Sequence, residues 1–237
     1  MLTYLSYIGI GAFDALAVLV LPLALYMLPI KDYKYRIILF AVFISLVSFI
    51  MRIVLDLPRI DLILQYILFV SFFRLGLKIK LHLSAFILGV GLSAYATLQM
   101  AVFYAYSFLN LMQTSVLKEN TSLQVFLLQV TSILITYLFA GYLKLRGTGF
   151  SFIVAPPHDF LWKEDYKTKE NKMVITSSVL STVTICLGVI LLYYQNPLVL
   201  LLVSIFTFSI SYFFSRRSDA EDARKALAAY RDKHKKS

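Results

Sequence analysis

The sequence reads as an all-α, polytopic membrane protein: seven transmembrane helices, the N-terminus outside, the C-terminus in the cytoplasm and a short cytoplasmic C-terminal helix. Three observations carry that reading. Hydrophobic residues are 59% of the 237 and charged residues 15%, with a mean hydropathy of +0.77, where a soluble domain would be about 45–50% apolar and about 25% charged. The charges are clustered, and the apolar runs between them approach or exceed the ~20 residues a helix needs to cross a bilayer. Lys and Arg also fall almost entirely on alternate loops, as cytoplasmic loops require.

Seven spans follow, near residues 4–30, 37–55, 62–77, 83–109, 123–143, 173–194 and 198–214. No basic residue precedes Lys31, so the first span lacks the n-region of a cleaved signal peptide and is expected to be retained. Pro22 is the one mid-span proline and predicts a kink. Arg74 interrupts the third span before Lys78 and Lys80. An Arg near a helix end can reach the headgroups, so the span survives. In the fourth, "LGVGLSAYA" offers Gly89, Gly91, Ser93 and Ala96 as a small-residue face for helix or partner contact. The sixth holds the one cysteine, Cys186, expected as a small packing residue. A single thiol gives neither a disulfide framework nor a cysteine metal site. "QNP" joins the last two spans and is long enough only for a turn, so they form an antiparallel hairpin.

With the N-terminus outside, the cytoplasmic segments hold Lys31, Lys34 and Arg36, then Arg74, Lys78 and Lys80. The long loop adds Lys144, Arg146, Lys163, Lys167, Lys169 and Lys172, and the tail carries eight more from Arg216 to Lys236. Of the 23 Lys and Arg, only Arg52, Arg59 and Lys118 stay outside. Removing one span would break the alternation. The net charge of +10 therefore belongs to segments facing the lipid bilayer, and nucleic acid is not an expected partner. The long loop, residues 146–172, begins apolar, contains Trp162 and ends basic. It either lies on the inner headgroups or tucks its apolar start back among the helices.

Polar side chains inside spans are costly and mark helix contacts or a site. At ~1.5 Å per residue from each inner boundary, Asp14, Arg52, Gln99 and Gln129 lie about 22–24 Å up and Gln65 about 20 Å up. Interhelical hydrogen bonds and an Asp14–Arg52 ion pair would account for this layer. So would an outward-facing ligand pocket lined by Asp14, Arg52, Gln65, Gln99 and Gln129, and the two are compatible.

No enzyme, cofactor or metal site is expected. A cysteine peptidase needs a His within reach of its thiol. Cys186 lies about 20 Å above the inner boundary, whereas His82, His158 and His234 are at that boundary, in the long loop and in the tail. No span contains a mid-membrane His, HExxH is absent, and every Glu lies in a loop or the tail.

Residues 1–214 thus form a transmembrane domain and 215–237 a basic tail. Ser218 and Glu221 read as a capping box opening a separate tail helix. Ala220, Ala223, Leu227 and Tyr230 make a narrow apolar stripe along it, too short to be stable alone, and so a candidate partner-coupling surface.

The stretch "LPLALYMLPIKDYKYRIILF", followed by "LDLPRIDLILQYILFVSFFRLGLKIKLHLSAF", resembles the transmembrane sensor region of accessory-gene-regulator-type, quorum-sensing histidine kinases of Gram-positive bacteria. The matching features are Pro29 with Lys31 and Lys34, Leu57-Pro58, and Lys78 with Lys80. In that family six or seven spans lead into a cytoplasmic dimerisation helix, and the outer face reads a secreted peptide. No phospho-accepting helix or ATP-binding domain is matched, and His234 in "DKHKK" has no motif around it. The resemblance therefore implies a sensor without its kinase in the cell membrane. Such a protein would signal through a partner histidine kinase or other signalling protein, or through self-association. Two other readings stand beside it: a membrane subunit of a small-solute transporter with a separate energising partner, and a structural protein with no ligand. Self-contained transport is disfavoured, because no inverted repeat and no pair of Gly/Pro-broken helices is present.

Overall fold

A computed structural model describes residues 2–119, 121–160, 168–194 and 196–235. It is 81% helix, with no strand among the described residues. The long helices are α1 (Leu2–Leu25), α2 (Lys34–Phe49), α3 (Pro58–Ser71), α4 (Leu81–Phe108), α5 (Leu123–Arg146), α6 (Lys169–Tyr193) and α7 (Pro197–Lys235). α2 and α3 each continue into one π-helical turn, Ile50–Val54 and Phe72–Gly76, and a 3-10 turn, Thr114–Lys118, precedes α5.

Five helices, α1, α2, α4, α5 and α7, are long and apolar enough to cross a membrane. Large apolar side chains on the outside of the bundle, such as Phe13, Leu39, Leu138 and Phe206, are exposed as lipid-facing residues would be. α3 is short, and α6 is diluted by hydroxyls in "TSSVLSTVT".

The helix ends follow local chemistry. Pro58 opens α3 where its missing N–H costs nothing. The Ser122 side chain accepts from Val125 N at 3.2 Å and caps α5, which Gly147 closes at φ +59. Four other helix ends use the same left-handed turn on Met27, Asp56, Lys78 and Asn110. There Leu28, Leu57, Ile79 and Leu111 donate their N–H back to carbonyls of the last turn, at 2.7 to 3.0 Å. Each tight reversal sets the next helix alongside the last.

α4 is the central helix, packed against α1, α3, α5, α6 and α7. Its glycines make this possible. A Cβ on Gly91 would stand 2.6 Å from Pro22 of α1, and one on Gly89 only 2.4 Å from Ser181 of α6. The small-residue face is thus used inside the molecule, with Gly89, Gly91 and Ser93 buried, and is not open to a partner. Cys186, expected to pack, lies exposed on α6 instead.

Hydroxyl pairs join the remaining helices: Ser177–Ser211 and Thr184–Thr207 between α6 and α7, each 2.6 Å, and Tyr66–Thr182 between α3 and α6 at 2.8 Å. In a bilayer such bonds replace part of the hydrophobic driving force between helices.

α7 corrects the reading of the tail. It runs unbroken across residue 214, and Ser218 is buried in mid-helix rather than capping a new one. No Gly or Pro interrupts the stretch after Pro197, and Ser215 returns its hydroxyl to the Ser211 carbonyl, so nothing ends the helix. The long loop takes the second of its two expected courses. Phe150 and Ile153 are buried, and Phe150 N caps the α1 carbonyl of Leu25 at 2.8 Å. Phe150 and Phe152 pack on Tyr26, Phe86 and Tyr212. Trp162 lies outside the described residues, as does Gln195 of the expected turn.

Candidate functional site

The five polar residues expected in one layer separate into two groups on opposite sides of α1. The first joins α1, α2 and α3. The π-helical turn at the end of α2 carries Arg52, and the first turn of α3 carries Asp61, where a carboxylate suits the helix N-terminus. The short Asp56 turn folds α3 back on α2, so Arg52 Nε reaches Asp61 Oδ2 at 2.5 Å. Asp61 is 0% exposed, and Ser48 at 3.0 Å and Gln65 at 2.8 Å donate to the same oxygen. Tyr7 of α1 extends the chain through Ser48 at 3.2 Å. Because the Ser48 proton goes to Asp61, the Tyr7 hydroxyl donates to Ser48.

This geometry overturns the expected Asp14–Arg52 pair. Arg52 is held by Asp61 and acts on Asp14 only at longer range. Asp61 was missed because it falls before the assigned start of the third span. Its signal was present in a Pro at the first helical position, an Asp three residues on and a Gln four after that.

The second group joins α1, α4 and α5. Tyr95 donates its hydroxyl to Asp14 Oδ1, and Tyr137 donates to the Phe13 carbonyl at 3.2 Å. Gln99 sits one helical turn beyond Tyr95 on α4, toward the C-terminal end of that helix. Gln129 lies on α5, between Tyr137 and the N-terminal end of that helix. Both amides are partly exposed, and neither has a hydrogen-bond partner among the described residues. Asp14 likewise has no Lys, Arg or His within ion-pair distance among them. The first group thus pairs its carboxylate with an arginine and two neutral donors, all on Oδ2, with Oδ1 buried and unpartnered, whereas the second holds a carboxylate with no cation beside it.

At the opposite end lies a cleft of ≈ 470 Å³ lined by Lys80, His82, His158, Asp159, Asn171 and Asp222. Sequence reading gave no hint of it, since the loop, α4, α6 and α7 build it jointly. No cluster of three metal-ligating side chains occurs among the described residues.

Residues 147–160 form a strap across this end. Beyond the Phe150 cap on α1, Ser151 donates from N and Oγ to Asp219 of α7 at 2.7 and 2.8 Å. His158 holds the turn between α3 and α4: its N–H reaches the Lys78 carbonyl at 2.9 Å, and Lys80 N donates to Nδ1 at 3.3 Å. Nε2 then carries the proton and donates to Val154 O at 2.8 Å. Past Asp219, the stripe of Ala220, Ala223, Leu227 and Tyr230 is exposed. No family model, characterised protein or solved structure matches this chain.

Proposed function

We propose that the protein is a receptor-like sensor in the cell membrane, with seven spans, an outer N-terminus and a cytoplasmic tail, that couples an outward-facing polar site to a signalling partner through α7. The orientation rests on the distribution of Lys and Arg over alternate loops. α3 with its π-turn and α6 complete the seven spans, their polar groups being turned inward by the Asp61 and Ser/Thr contacts.

The observation that carries the coupling is the strap. It ties the inner end of α1, whose outer part bears Asp14, and the α3–α4 turn to Asp219 at the base of the exposed tail stripe. A shift of α1 against α4 is transmitted to α7 through hydrogen-bonded and aromatic contacts. The resemblance of residues 21–85 to quorum-sensing kinase sensors points the same way. The transporter reading loses the face proposed for its energising subunit, since Gly89 and Gly91 are buried between helices.

The test is capture from native membranes with the intact protein and a form lacking residues 218–237. A kinase or response regulator recovered by the intact form alone supports the reading. An ATPase recovered equally by both would replace it with transport.

A further inference from the structure

We propose that the α1–α4–α5 face around Asp14 binds an organic ammonium ion, an assignment that rests on the sensor reading and names the ligand class for its outer site. The reasoning begins with charge. A carboxylate inside a membrane span is costly unless a cation or several donors compensate it. Asp61 is compensated threefold, by Arg52, Ser48 and Gln65. Asp14 receives one hydroxyl, from Tyr95, and the arginine nearest to it is committed elsewhere. Asp14 is also only partly buried as a residue.

The surroundings narrow the cation. Tyr95 and Tyr137 place two aromatic rings beside the carboxylate, an environment that favours a cation with an organic body. A bare divalent ion needs six or more oxygen ligands or a retained water shell, and here one carboxylate stands alone. An ammonium needs only one charged acceptor and can spread its remaining contacts over neutral groups. The amides of Gln99 and Gln129, unpartnered on the helix faces toward the outer end, supply acceptors and donors for the rest of such a ligand.

The test uses the full chain in phosphatidylcholine nanodiscs, with phenethylammonium as probe and 2-phenylethanol as its neutral counterpart, both followed by ligand-observed NMR titration. The ammonium should bind at least tenfold more tightly than the alcohol. Asp14→Asn, which keeps an acceptor for Tyr95, should abolish that difference without altering the melting temperature by more than a few degrees. Equal binding of the two probes to the native protein, a comparison that needs no variant, would overturn the proposal, as would an ammonium preference that survives in Asp14→Asn. Tail-dependent capture is scored separately. Probe selectivity without capture overturns the sensor reading alone, and capture without selectivity overturns the ammonium site alone.

Discussion

Removing the Asp61 carboxylate should destabilise the protein far more than removing the whole ion pair. In Asp61→Asn, Arg52 keeps its charge on a side chain that is 23% exposed, and three donors lose their charged acceptor. Breaking a buried pair by removing one partner costs about 3–5 kcal/mol. Because the guanidinium is partly exposed, water and headgroups recover some of that, which leaves about 2–4 kcal/mol. Arg52→Met alone leaves the carboxylate at 0% exposure with only two neutral donors and should cost a similar amount. The double variant carries neither charge and should lie within about 1 kcal/mol of the native protein, since apolar replacement of buried pairs is often neutral. Equilibrium unfolding in mixed micelles, with helix content as the signal, gives all four corners of the cycle. The same cycle on Asp14→Asn and Arg52→Met should be nearly additive, because the two side chains do not touch. A larger coupling for Asp14–Arg52 than for Asp61–Arg52 would refute the pairing.

The other expectations are local. Gly89→Ala should cost about 1–3 kcal/mol through its clash with Ser181, and Ser181→Gly in the same chain should recover part of it, as melting temperatures would show. Lys78→Gly should raise stability by about 1 kcal/mol, because Lys78 holds φ 59, a left-handed conformation that glycine adopts without strain. Asp219→Ala removes both acceptor contacts to Ser151 and should speed amide exchange at Ser151 while leaving α4 protected.

The helices were legible because bilayer crossing imposes long apolar runs and because basic residues punctuate them. All seven helix starts fall within about four residues of the expected span starts. α7 was not legible past residue 214. Its Ser218 and Glu221 mimic a capping box, and only the neighbouring helices show that Ser218 is buried inside a continuing helix. The pairing of the candidate-site residues was not legible. A rise per residue places Asp14, Arg52, Gln65, Gln99 and Gln129 at one level, yet says nothing of which neighbour each faces. The left-handed turn at Asp56 decides that for Arg52, and the packing of α1 between α2 and α5 decides it for Asp14. The course of the strap is not legible in the sequence, because "GFSFIV" suits a headgroup surface as well as a core. The Leu25 carbonyl waiting at the end of α1 belongs to a contact more than a hundred residues away along the chain, which periodicity does not reveal.

Hydrogen exchange of the native protein and Asp14→Asn in nanodiscs, read at residues 149–154 and 216–230, tests the coupling most directly. A change at Asp14 that travels through α1 and the strap should alter protection at Phe150 and Ser151 and along the tail, in addition to α1, α4 and α5. Changes confined to α1, α4 and α5, with the strap and tail exchanging as in the native protein, would contradict it.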